Sequence, residues 1–181
     1  MLKRQELTRL LFMQPHIQVI DNGQLLTITM ADILKYHGGL LPGGCAHAFQ
    51  AMRAGFALLS DEPLQRREIY VQTAFAGPGG RDTVEYVTRA YTSERATYNR
   101  ALGTPDLFVQ LPGSYVWLFS YRGKTVRVQI TDGWVKPEFV AMGQKTQRTP
   151  EENAHLVYLR QEMADRLMAA KPNEVYTASL V

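Results

Sequence analysis

The sequence predicts an α+β fold: an antiparallel or mixed sheet packed against a long central helix, with a C-terminal helix added to it. Three observations carry this. Residues 44 to 60 hold Cys45, Ala48, Phe49, Met52, Phe56 and Leu59 at helical spacing, forming one apolar stripe. The run VRVQI alternates with period two, the pattern of a strand with one buried face. Two apolar-rich runs meet at Asp21-Asn22-Gly23, and Asn-Gly is the strongest short hairpin signal.

Taken in order, residues 2 to 12 read as a helix, with Leu7, Leu10 and Leu11 recurring among polar neighbours until Pro15 stops it. HIQVIDNGQLLTITM follows as the hairpin. Thr29 and Asp32 have the spacing of a capping box that opens the short helix ADILKYH. A glycine-rich turn then feeds the central helix, whose small residues Ala48, Ala51, Ala54, Gly55 and Ala57 suit close packing. EIYVQTAF is a strand. GPGGRDTVEYVTRAY repeats the pattern of a Pro-Gly-Gly turn before a helix, with Val84, Val87 and Tyr91 towards the core.

Residues 107 to 131 carry two or three strands, among them YVWLFSY and KTVRVQIT joined at Arg122-Gly123. Pro137 and Gly143 mark a loop. TPEENAHLVYLRQEMADRLMAAKP is the clearest helix: Thr149 is its N-cap, Pro150 its first residue, Glu152 completes the capping box and Pro172 lies past its end. The expected division is an α+β core domain over 1 to 145 and a C-terminal helical extension over 146 to 181.

A domain of 181 residues buries roughly 70% of its unfolded surface and needs no disulfide or metal to hold together. The single cysteine excludes an internal disulfide and a Cys-rich zinc module, and it leans towards a reducing compartment. MLKRQELTRLLFMQP lacks the apolar core of a signal peptide, and no run of 18 apolar residues is present, so the expected location is the cytoplasm, with no membrane. The net charge of +3 is dispersed, without a basic stripe, and nucleic acid is not the expected partner.

Chemistry concentrates at HGGLLPGGCAHAF, residues 37 to 49. Imidazole and thiolate are ligands for zinc or nickel, which makes His37, Cys45 and His47 the candidate metal set. On a regular helix, however, Cys45 and His47 lie about 200° apart. Cys45 also continues the apolar stripe and reads equally as core. The exposed amides of a helix start bind anions and glycine lets a ligand approach, so Gly43, Gly44 and Gly79 are candidate ligand contacts. Arg81 and Asp82 read as a clamp and an acid–base group, or as a surface arginine and a carboxylate favoured by the helix dipole. Tyr115, Trp117, Phe119 and Tyr121 line one strand face, as a stacking platform or as cross-strand packing.

At ADILKYHGGLLPGGCAHAFQAMRAGFALL the chain resembles the family of formylmethanofuran dehydrogenase E subunits, which places H-G-H-x-C-P-G between a short and a long helix. His37, Gly38, Pro42 and Gly43 match in register, while Gly39 and Leu41 stand where the family has its second histidine and its cysteine. The resemblance extends loosely over residues 27 to 140. It implies an α+β fold, dimerisation and a cavity at the His37 turn. The expected function is therefore binding of a metal ion or small ligand there, as an accessory to a molybdenum or tungsten enzyme. The alternatives are a small enzyme using His37 and Cys45, or a non-catalytic assembly module. A homodimer is expected through the stripe Leu156, Leu159, Met163 and Leu167, with Val157 beside it.

Overall fold

The computed structural model describes residues 14 to 103 and 115 to 181. The helix expected at 2 to 12 lies outside them, as does most of the segment 107 to 115 ahead of the two paired strands. The fold is α+β with mixed sheets. Strands β1 (His16–Asp21) and β2 (Gln24–Thr29) form the hairpin. Asn22 and Gly23 both take positive φ, 51° and 80°, the turn whose twist matches that of the paired strands. Arg122 and Gly123, at 47° and 79°, make the same turn between β6 (Val116–Tyr121) and β7 (Lys124–Ile130).

Between the two hairpins come α1 (Met30–His37), α2 (Pro42–Leu59), β3 (Leu64–Gln65), β4 (Tyr70–Thr73), α3 (Pro78–Thr88) and β5 (Ala96–Tyr98). The chain ends in α4 (Pro137–Gln144), α5 (Pro150–Ala169), α6 (Pro172–Val175) and β8 (Tyr176–Leu180). A three-stranded sheet runs β2-β1-β3 and a five-stranded one β5-β4-β6-β7-β8. The β1–β3 and β4–β5 pairs are parallel and the others antiparallel.

Both capping boxes form. Thr29 and Asp32 close the start of α1, and Thr149 and Glu152 that of α5, with Pro150 in its first turn. Pro137 does not mark a loop: it sits in the first turn of α4, where its missing N–H costs nothing.

Helix α2 is the axis of the molecule, and it is buried on nearly every side rather than along one stripe. Gly55 lets the sheet approach, since a Cβ there would lie 2.6 Å from the Phe119 ring and 2.9 Å from Val128. Beside it the rings of Phe56 and Phe119 meet edge-on at 5.3 Å. Trp117 and Phe119 are fully buried in this layer, with Tyr115 and Tyr121 nearly so, which makes the aromatic row internal packing rather than an open platform.

Residues 146 to 181 belong to the same core. Helix α5 packs along α2, and β8 completes the large sheet against β7. Gln50 of α2 donates from Nε2 to the carbonyls of Leu167 and of Ala170, the latter at 3.0 Å, which satisfies the free end of α5. Leu156, Leu159, Met163 and Leu167 are therefore covered from within the chain and call for no second copy. Val157 and Tyr158 remain exposed on the outer side of α5. Among the described residues no helix is long and apolar enough to cross a membrane.

Candidate functional site

The structure does not gather the three expected metal ligands: His37 and Cys45 both face α3 but take different partners, and His47 lies on another side of α2. His37 ends α1, and Gly38 turns the chain away with a φ of 81°. Its Nδ1 lies 2.6 Å from Asp82 Oδ2 on α3. A carboxylate only accepts, so Nδ1 donates to Asp82, while Nε2 is buried and without a partner among the described residues. Asp82 is thus an orienting partner for His37.

Cys45 faces α3. Its Sγ would lie 3.1 Å from a Cβ on Gly79, and Thr83 is beside it. Burial pushes its thiol up to about 11; the charge of Asp82 adds to this, while the Thr83 side chain works against it. A thiol so held is a weak nucleophile and a poor metal ligand at neutral pH.

His47 points towards the opposite side of α2. It is fully enclosed, with Nδ1 2.7 Å from the Tyr176 hydroxyl of β8 and its ring 4.4 Å from that of Tyr115. Burial depresses its pKa to about 3, with Arg166 contributing, so it is neutral at physiological pH. Among the described residues no three His, Cys, Asp or Glu side chains come together to hold a metal ion. The donor set expected for zinc or nickel does not fit, because the roughly 200° between Cys45 and His47 on a regular helix is preserved.

The two Pro-Gly-Gly helix starts, by contrast, do meet. A Cβ on Gly44 would lie 3.5 Å from the Gly79 Cα, and one on Gly79 only 2.8 Å from the Leu41 carbonyl. The repeated motif is the contact at which the starts of α2 and α3 touch backbone to backbone. Beside this contact lies a cavity of about 250 Å³. Leu41, Gly43 and Gly44 line it at the start of α2, and Ala76, Gly77, Pro78 and Gly79 at the start of α3. Phe75, Tyr115, Phe139, Met163 and Arg160 complete the wall.

Of the expected ligand contacts, Gly43, Gly44 and Gly79 reach this cavity. His37 and Asp82 pair outside its wall, and Arg81 lies 5.2 Å over the Tyr91 ring, so none of these three lines it. The expected cavity at the His37 turn is thus shifted to the far end of that turn. Sequence reasoning misses Arg160 and Phe139 as site residues and places Tyr115 only in the aromatic row, since no local signal marks them. They come from α5, α4 and the start of β6, and only packing gathers them.

Neither Leu41 nor Gly77, the residues preceding the two helices, supplies a side-chain cap. Pro42 and Pro78 carry no N–H, and the Gly80 amide donates to the Gly77 carbonyl at 3.1 Å, which leaves the amides of Gly43, Gly44 and Gly79 without an intrahelical acceptor at the cavity wall. Among the described residues its wall includes no carboxylate. Arg160 is half-buried there without an ion-pair partner among the described residues, and burial and the neighbouring charge of Arg148 both disfavour its charge. No protein-family model matches this chain, and no curated protein matches it.

Proposed function

We propose that this chain is a small-molecule-binding protein whose site is the cavity between the two Pro-Gly-Gly helix starts. The observation that carries the reading is the cavity itself. An apolar body fits against Phe75, Tyr115, Phe139 and Met163, while glycine amides and one guanidinium supply the polar contacts. The likeness of residues 31 to 59 to formylmethanofuran dehydrogenase E subunits supports a cytoplasmic accessory role beside a molybdenum or tungsten enzyme. Zinc or nickel has no part in this proposal, because the donors lie apart.

The test is a panel of small ring compounds screened by ligand-detected NMR against the native protein and an Ala76→Trp variant. Ala76 is exposed at the cavity wall, so an indole there closes the site without entering the core. Binding that Ala76→Trp abolishes supports the proposal. A panel without hits, or hits indifferent to the variant, sinks it.

A second reading, acid–base catalysis, draws on the His37–Asp82 pair and its unpartnered Nε2. Diethyl pyrocarbonate with peptide mapping tests it, since a ring that solutes reach is modified in the native protein. Protection of His37 until unfolding would end this reading.

A further inference from the structure

We infer that the ligand of the cavity is a small carboxylate on an aromatic or comparably apolar body, its anionic head held by Arg160, the Tyr115 hydroxyl and the glycine amides of the two helix starts. The inference rests on the binding reading above and names its ligand class.

Four observations converge on an anion. Two helices, not one, begin at the cavity, and both begin uncapped, with Gly43, Gly44 and Gly79 baring their backbones to it. The one charged side chain of the wall among the described residues is Arg160. No aspartate or glutamate of the wall answers it, and the neighbouring charge that acts on it is the cation Arg148. Arg148 itself is spent on the carbonyls of Met142, Gly143 and Lys145 and on Asn153.

The fourth observation is Tyr115. It is only 9% exposed and lines the cavity, yet its hydroxyl donates to nothing among the described residues. That hydroxyl is not sealed in the core, unlike His47 Nε2, so it is free to donate to a ligand oxygen that enters the cavity. Other buried hydroxyls nearby are used: Tyr176 meets His47, and Thr73 donates to the Val116 carbonyl at 2.8 Å. Tyr115 differs in lining the cavity with no hydrogen-bond partner for its hydroxyl among the described residues.

The size selects the body. A dry cavity of about 150 Å³ suffices for benzene. At about 250 Å³ this one has room for a ring and a carboxylate. Phe75 and Tyr115, with ring centroids 4.9 Å apart, offer faces and edges to such a ring. A planar guanidinium meets a carboxylate in two parallel hydrogen bonds, which a neutral amide cannot reproduce.

The probes are benzoate, its neutral isostere benzamide, and inorganic phosphate, titrated by calorimetry into the full chain and into Arg160→Gln, Arg160→Lys and Tyr115→Phe. Circular dichroism melts check that each variant is folded. Benzoate is expected to bind about tenfold or more tightly than benzamide, in line with one charge-assisted contact. Arg160→Gln is expected to erase that preference and Arg160→Lys to keep part of it, while Tyr115→Phe weakens benzoate alone. Benzamide binding as well as benzoate would overturn the inference and leave the binding reading standing. Phosphate binding with benzoate excluded would likewise overturn the carboxylate assignment. If neither ring compound binds, the carboxylate assignment is overturned, and if no member of the panel of small ring compounds binds either, the binding reading fails with it.

Discussion

Acid should weaken this fold through one residue, His47. Its ring is sealed between Tyr115 and Tyr176 and its pKa is about 3 in the folded chain, against 6.5 for the ordinary side chain. The folded state thus refuses a proton that the unfolded chain accepts. For a base with a depressed folded pKa, the stability is fully present above pH 6.5 and is lost as pH falls from there towards 3. Within that window the slope is about 1.4 kcal/mol per pH unit, so lowering pH from 7 to 5 removes about 2 kcal/mol. Carboxylates and the other histidines titrate too, and the comparison that isolates His47 is with His47→Gln. Urea unfolding monitored by Trp117 fluorescence would be run at half-unit intervals from pH 7.5 to 4.5 on both proteins. Gln at this position can still meet the Tyr176 hydroxyl, so the variant should be somewhat less stable at pH 7 but flatter with pH, and the difference should shrink by about 2 kcal/mol by pH 5. Parallel profiles for the two proteins would refute the argument, showing that the ring is either hydrated or protonated in the folded state.

Further expectations follow from the contact of the helix starts and from the buried thiol. Gly79→Ala should destabilise by about 2 kcal/mol in denaturant melts, because its Cβ would lie 2.8 Å from the Leu41 carbonyl and 2.9 Å from the Cys45 amide. Gly44→Ala meets only ordinary contacts at 3.5 Å and beyond and should be neutral or stabilising by up to about 1 kcal/mol; equal effects of the two alanines would contradict the packing. Cys45, with its pKa near 11, is about one part in ten thousand thiolate at pH 7. It should react with iodoacetamide only on unfolding, with a chelator making no difference, and fast native labelling would refute its burial. A double-mutant cycle on His37→Asn and Asp82→Asn should return a coupling of about 1 kcal/mol in stability, the carboxylate being partly solvated.

Local chemistry made much of the fold legible. Asn22-Gly23 and Arg122-Gly123 are each preceded and followed by strands, and a turn with two positive φ values admits few other pairings. Thr29 with Asp32 and Thr149 with Glu152 announce helix starts because the side chains that cap are themselves the signal. Pro137 misleads, since proline opens a helix as readily as it interrupts one. The apolar stripe of α2 is visible in the sequence, but periodicity reports the most apolar face and is silent on whether the other faces are also covered. Hence His47 and Gln50 are polar in sequence and fully buried in the fold.

The sequence by itself determined the turns, the caps, the helices they open, and the paired Pro-Gly-Gly motifs, because each depends on atoms a few residues apart. Only the tertiary structure decided what those motifs are for. A backbone less than 3 Å from where a Gly79 side chain would begin belongs to Leu41 and Cys45, more than thirty residues away, and the wall that closes the cavity comes from Tyr115, Phe139 and Arg160. The metal set failed for the same physical reason. Closeness in sequence placed His37, Cys45 and His47 within eleven residues, while the helix rotated two of them apart and the packing of α3 and β8 gave each a separate partner.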